Sequence, residues 1–312
     1  MGQAFLPALF VTNMHNMNES VKLKLDKISN SEDNTNELYS IFNSFEGEKL
    51  PMIRINIEAG AYVVRQRIND KDKDFSNVFD LSYPPVHCCY NYGRANLPYH
   101  SMFYCCSFSG DKDAPLPRYI TLLETSDFIK DTESIGIQRA TCSRWDIIEK
   151  LELLALPFSN NYEKTIAAIE QIKNEWNELK KKTNINKNAL DLVEYMSNEI
   201  AKEATESLDY FKIANFIYYL LYINKSTCNS DGIIYPSVAA GGEGFNIVLK
   251  PEAVDKKLKF SVASLCYLIK SGMKAELHVV NHSTEMSEDG SLSFVAQEDF
   301  DKQICKGLEF IN

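Results

Sequence analysis

Basic residues are scarce in this chain. Its 312 residues include 33 lysines and arginines against 43 acidic residues, a formal net charge of −10. Surfaces that grip nucleic acid or anionic membranes need cationic patches, so neither is expected as a partner. A small anionic ligand needs only a local cluster of cations and stays open. Long apolar runs are also missing. The longest, IANFIYYLLYI, covers Ile213–Ile223, whereas a bilayer-crossing helix takes roughly 20 residues. The opening AFLPALFV has no basic residue before it and no clear cleavage site, which argues against a signal peptide. Leu6 stands where a myristoylation start of the Met1-Gly2 type needs Ser or Thr. The expectation is a cytoplasmic protein.

Metal and phosphate signatures are lacking as well. The eight cysteines (Cys88, Cys89, Cys105, Cys106, Cys142, Cys228, Cys266, Cys305) contain no C-x-x-C spacing. A zinc site would have to draw on His87, Cys88, Cys89, Cys105 and Cys106, yet neighbouring residues on a strand point to opposite faces. No metal is expected, and the thiols read as reduced, small core residues. GGEG (Gly241 to Gly244) has neither the Lys-Ser/Thr of a P-loop nor the spacing of a dinucleotide fingerprint, so it reads as a turn. His87, His100, His278 and His282 are assigned no chemistry.

What is present is an ordinary globular composition, 45% apolar and 24% charged, in a chain long enough to bury a large core. Residues 1–50 are polar and mixed, an N-terminal extension with a loop at NSEDNTNE (Asn30 to Glu37). IRINIEAGAYVVRQRI (Ile53 to Ile68) predicts strand, turn at Ala59-Gly60, strand. A charged loop follows from Asn69 to Phe75, and SYPPV is extended because proline restricts itself and its predecessor. Ser101 to Phe108 reads as a buried strand, Gly110 to Arg118 as a loop, and Tyr119 to Phe128 as the start of a helix carrying Glu124. SRWDIIEKLELLAL predicts a helix, with Ser143 as cap, Asp146 in the first turn and Pro157 past the end. The next helix runs from about Tyr162 to Lys182. Ile166, Ile169, Ile172, Trp176 and Leu179 share one face, and Glu178 pairs with Lys182. One or two more helices fill Ala189 to Asn224. IIYPSV, FNIVL, ELHVV and SLSFV are strand-like, with a hairpin turn at Asp289-Gly290. A helical block between β-rich parts implies that those parts fold together, an α+β arrangement.

Three segments carry the chemistry. AYVVRQRI holds Tyr62, Arg65 and Arg67. GRANLPYHSMFYCCSF, followed by TLLETS, holds Arg94, Tyr104 and Glu124. DGIIYPSVAAGGEGFNIVLKPEAV holds Tyr235 and Ser237. In this order they resemble the RES domain family, named for its Arg, Glu and Ser. That family has a tyrosine–arginine segment, then Gly-Arg, Leu-Tyr and Glu, then Tyr-Pro-Ser before a glycine-containing turn. The resemblance covers roughly 53–130 and 228–255, and DGIIYPSV is its most specific part. Here the tyrosine–arginine pair is stretched to Tyr62-Val63-Val64-Arg65, so either Arg65 or Arg67 matches the family arginine, with Arg65 preferred. The loop between Tyr104 and Glu124 is long, and the helical block lies outside the minimal domain.

The resemblance implies a fold like that of ADP-ribosyltransferases: a RES core with a split mixed β-sheet, interrupted by a helical insertion. The organisation would be an N-terminal extension (1–50), a first core part (51–142), the insertion (143–227) and a second core part with C-terminal strands (228–312). It implies chemistry on NAD+ as substrate, with Glu124, Arg94 and Ser237 catalytic and Arg65, Tyr104, Tyr62 and Tyr235 binding substrate. Many members look like toxins paired with an antitoxin.

The residue types suit that chemistry. A guanidinium fork matches pyrophosphate oxygens, a role for Arg65 or Arg94. A tyrosine face such as that of Tyr104 stacks on the cationic nicotinamide ring. Breaking the ribose–nicotinamide bond leaves oxocarbenium character that a carboxylate, Glu124, stabilises. Nicotinamide leaves neutral and needs no general acid. Ser237 would hydrogen-bond the nicotinamide ribose or position Glu124. Taken singly, Glu124 reads as a helix-surface residue, Tyr104 as a core aromatic and Arg94 as an ion-pair residue; the ordered set reads as a site. Three functions follow: cleavage of NAD+ by water or phosphate, ADP-ribosyl transfer to a protein, or a non-catalytic interaction protein. In the last, the helical insertion would meet an antitoxin or a second copy of the chain.

Overall fold

The structure is a computed structural model and describes residues 19–70, 73–107, 116–156 and 166–296, with the backbone of 310–311. The opening AFLPALFV, most of the loop expected over 110–118, residues 162–165 of the helix expected from Tyr162, Pro157 and Cys305 lie outside these residues.

The chain begins with two short helices, α1 (Val21–Lys27), started by the Ser20 side chain accepting from Leu23 N (3.3 Å), and α2 (Thr35–Asn43). A 3-10 turn at Glu32–Asn34 occupies the centre of the stretch expected to be loop. Strands β1 (Ile53–Ile57) and β2 (Tyr62–Ile68) flank a turn in which Gly60 has φ +94°, as the sequence predicts. A helical turn, α3 (Val78–Leu81), precedes β3 (Phe103–Ser107), and α4 (Pro117–Thr125) carries Glu124. Helix α5 (Asp127–Lys130) leads into β4 (Ile135–Ile147) and β5 (Leu151–Ala155).

The helix expected over SRWDIIEKLELLAL is thus two strands. Ser143 caps nothing; its hydroxyl lies 3.3 Å from Arg65 O and 3.0 Å from Trp145 Nε1. Residues 140–146 lie between β2 and a long later strand, and Leu151, Leu153 and Leu154, each 0% exposed, sit between β1 and another strand. A short apolar run buried on both faces has no period of its own, and partner strands decide its form.

The helical block therefore opens later, at α6 (Ala167–Lys180). Ile169, Ile172 and Trp176 are buried along its predicted face, and Glu178 meets Lys181 (2.6 Å) where a pair with Lys182 was expected. It continues through α7 (Lys187–Ile200) and α8 (Phe211–Tyr218), which runs on as a π turn over Tyr219–Ile223. Then come β6 (Gly232–Pro236), β7 (Phe245–Leu249), α9 (Pro251–Lys257), β8 (Leu258–Ser271), β9 (Lys274–Ser283), β10 (Val295–Ala296) and β11 (Phe310–Ile311). GGEG is the expected turn between β6 and β7, with Gly241 and Gly242 at positive φ.

The strands form one mixed sheet in the order β1-β5-β6-β7-β3-β2-β4-β8-β9-β10, with β11 parallel to β4. This is an α+β fold. β1 and β2 stand five strand positions apart, about 24 Å in a flat sheet at about 4.8 Å per strand. The link from Ile57 to Tyr62 can span at most about 18 Å. The sheet must therefore fold over on itself, and Gly60 N and Ala61 O do pair with Ile147 (2.9 Å each) at the closing corner. β2 and β3 pair only at Val63–Ser107 and Val64–Cys106 before they part. That opening positions the cleft described next.

The main core packs one face of the sheet against the helices, with Phe103 edge-on to Trp145 (5.5 Å) and Phe42 against Phe216 (5.4 Å). Residues 19–50 belong to this helical layer: the Tyr219 hydroxyl donates to Phe42 O (3.1 Å), and the buried Lys212 ammonium donates to Leu25 O (2.9 Å) at the end of α1. Helix α4 lies on the opposite face, where Leu122, Phe128 and Leu268 make a smaller cluster. Among the described residues no helix is long and apolar enough to cross a membrane.

Candidate active site

Where β2 and β3 part, a cleft of about 990 Å³ opens beneath α4. Its lining includes Arg65, Arg94, Tyr104, Glu124, Tyr235 and Asn246. That volume lies at the upper end of the roughly 300–1,000 Å³ common for small-molecule sites. Five of the seven residues expected from the sequence line it, and a sixth, Ser237, touches the carboxylate within it.

Glu124 is the centre. Proline at the first position of α4 starts a helix whose last turn brings Glu124 over the ends of β6 and β7. One carboxylate oxygen, Oε1, accepts from Ser237 Oγ (2.6 Å), Asn246 Nδ2 (2.7 Å) and Ala239 N (3.4 Å). No described residue donates to Oε2. Among the described residues the carboxylate is thus held by one oxygen only. Ser237, 0% exposed, follows β6; its hydroxyl also accepts from Ala240 N (3.1 Å), which fixes it as donor to Glu124. It thereby holds the Glu124 carboxylate in place.

Arg65 reaches the cleft from β2. Its Nη1 donates to Tyr104 O (2.9 Å) across the opening, and the guanidinium lies 5.4 Å from the centre of the Phe103 ring. Nε is buried and without a partner. Burial, with Arg67 adding like charge, pulls this cation down to about 10 from its ordinary 12.5. Arg67 also lines the cleft but spends Nη1 on Asp80 O and stacks on Phe75 (4.3 Å). Of the two arginines, Arg65 is the desolvated one, and among the described residues its one hydrogen bond goes to a backbone carbonyl.

Tyr104 and Arg94 build walls. The Tyr104 phenol, raised by burial and therefore protonated, donates to Asn96 Oδ1 (2.7 Å) and accepts from Ala95 N (2.9 Å). It clamps the loop that follows Gly93, and a Cβ on Gly93 would strike Asn96 Oδ1 in that clamp. The Arg94 fork is engaged by the protein itself. Nη1 donates to Ile200 O and to Lys202 O (2.8 Å) at the end of α7, and Nη2 to the Tyr210 hydroxyl (3.3 Å). A cation at a helix C-terminus meets unpaired carbonyls. Arg94 therefore fastens the 200–210 connector to the cleft, where Glu203, Ala204 and Tyr210 form a wall.

Tyr62 lies elsewhere. Three positions from Arg65 along a strand, it faces the opposite side and packs on Arg144 (4.1 Å) in a separate depression with Arg118 and Cys142. Tyr235 is 2% exposed, its phenol raised by burial. Sequence reasoning missed Asn246 and Tyr210. Asn246 carries a signal, an amide inside the β-branched run FNIVL where asparagine is depleted; Tyr210 carries none.

No protein-family model matches the chain, and no curated protein matches it in sequence.

Proposed function

We propose that this cleft binds NAD+ and releases nicotinamide from its ribose, as the resemblance to the RES domain family implies, within an ADP-ribosyltransferase-like core split between β2 and β3. The observation that carries this reading is Glu124. Its carboxylate is oriented through Oε1 by Ser237 and Asn246 and has no donor to Oε2 among the described residues, in a cleft that also holds a desolvated guanidinium. The Arg65 edge suits the pyrophosphate, since charge-assisted bonds to an unspent guanidinium are strong and directional. Glu124 Oε2 suits the ribose, where positive charge develops as the glycosidic bond lengthens and a preorganised carboxylate counters it. Arg94 and Tyr104 shape the cavity through protein contacts, and Arg65 carries the phosphate.

Purified protein incubated with NAD+, with and without phosphate, is expected to release nicotinamide, and Glu124→Ala to abolish the release. Losing these hydrogen bonds leaves the Ser237 hydroxyl and the Asn246 amide without their acceptor, at about 1–3 kcal/mol each; a thermal melt checks that the Ala variant remains folded. A wild-type protein that leaves NAD+ intact under both conditions would refute the proposal. Adenine-labelled NAD+ in a lysate separates hydrolysis or phosphorolysis, which free the label as ADP-ribose or its phosphate, from transfer to a protein band.

A further inference from the structure

The Glu124 carboxylate rests on a hydrogen-bond chain that ends in a buried thiol. β3 and β7 are antiparallel neighbours, with Cys106 directly opposite Asn246. Directly opposed residues share a face and stand close enough to touch. Cys106 Sγ donates to Asn246 Oδ1 (3.3 Å), and Asn246 Nδ2 donates to Glu124 Oε1 (2.7 Å). An amide has a donor end and an acceptor end of nearly the same shape. Packing alone does not choose which end faces Glu124; the acceptor oxygen of the carboxylate and a donor set against Oδ1 choose it together. Among the described residues that donor is Cys106.

On the reading of the cleft as an NAD+-cleaving site, we propose that Cys106 is a positioning residue: its S–H fixes the Asn246 amide so that Nδ2 holds Glu124 Oε1 and leaves Oε2 to the substrate. The thiol is suited to a donor's role. It is 1% exposed, and burial, with Cys105 and Glu124 adding to it, raises it well above the ordinary thiol value, so it keeps its proton.

The test compares Cys106→Ala with Cys106→Ser. Both remove the sulfur, so any packing loss is shared, and only serine retains a donor. A single neutral hydrogen bond corresponds to a change of about three- to tenfold. Nicotinamide release by Cys106→Ala is therefore expected to fall by that factor in kcat with KM within about twofold, and Cys106→Ser to recover most of it. In an Asn246→Ala background, Cys106→Ala should cost nothing further, because the thiol acts through the amide.

A readout independent of turnover is exchange of the Asn246 side-chain amide protons, followed by 15N-edited NMR without substrate. Exchange should be slow in the wild type and in Cys106→Ser, and faster in Cys106→Ala. Equal kcat in the Ala and Ser variants, or unchanged amide exchange in Cys106→Ala, overturns the positioning role. Absence of nicotinamide release from the wild type overturns the functional reading, and with it the reaction assigned to the chain of bonds.

Discussion

At the scale of single residues, Arg65 and Glu124 have complementary tasks. Below pH about 10 the folded protein bears the cost of a desolvated, partly unpaired guanidinium on a half-buried side chain. Because its folded value lies under the ordinary 12.5, that cost is relieved only as pH rises from about 10 toward 12.5. At neutral pH an anion placed against the free edge removes the cost instead. Inorganic pyrophosphate is therefore expected to raise the melting temperature of the wild type at pH 7 and to leave Arg65→Gln unmoved, read by calorimetry. Arg65→Lys should weaken NAD+ about ten- to hundredfold, the loss of one charge-assisted bond; titration calorimetry measures it. An arginine, tyrosine, glutamate and serine in this order were legible in the chain. Which arginine points into the cleft was not, because Arg65 and Arg67 share a strand face and only their neighbours, Tyr104 on one side and Asp80 with Phe75 on the other, separate them.

At the scale of elements, the segment DGIIYPSV owes its glycine to strand packing. A Cβ on Gly232 would run into the backbone of Val248 in the adjacent β7. Backbone cannot retreat as a side chain can, so Gly232→Ala is expected to cost roughly 3 kcal/mol or more, beyond the 1–3 kcal/mol of ordinary overpacking. Denaturant unfolding reads the loss, and nicotinamide release should fall with it as β6 carries Ser237 out of register. The strands β1, β2, β3, β6 and β7 and helices α4 and α6 could be read from alternation, β-branched content and helical spacing. β4 and β5 could not. Their residues sit between two partner strands, and the cap-like Ser143 and Asp146 mimic a helix start that tertiary pairing overrides.

At the scale of the whole molecule, the helical layer is part of the site. Its connector supplies the cleft wall that Arg94 fastens, and residues 19–50 lock that layer through Lys212, 8% exposed, on Leu25 O and Tyr195 (3.4 Å). Removing the ammonium takes one donor from Leu25 O, which keeps the Ile28 N–H (3.2 Å). Lys212→Met is expected to lower stability by about 1 kcal/mol and to leave the KM for NAD+ nearly unchanged, since the lysine lies outside the cleft; a denaturant midpoint and a kinetic assay report the two effects.

The sequence by itself determined the α+β class, the candidates Arg65, Glu124 and Ser237 and the strands and helix beside them, because those depend on residue type and short-range periodicity. The tertiary structure alone decided that the sheet folds back on itself, that β2 and β3 part to open the cleft, that the Arg94 fork is spent on the end of α7, and that Cys106 and Asn246 stand behind Glu124. The physical reason is register. Which residues meet at the cleft is set by pairings such as β2 with β3 and β3 with β7, from about 40 to more than 100 residues apart along the chain, and no local pattern encodes that pairing.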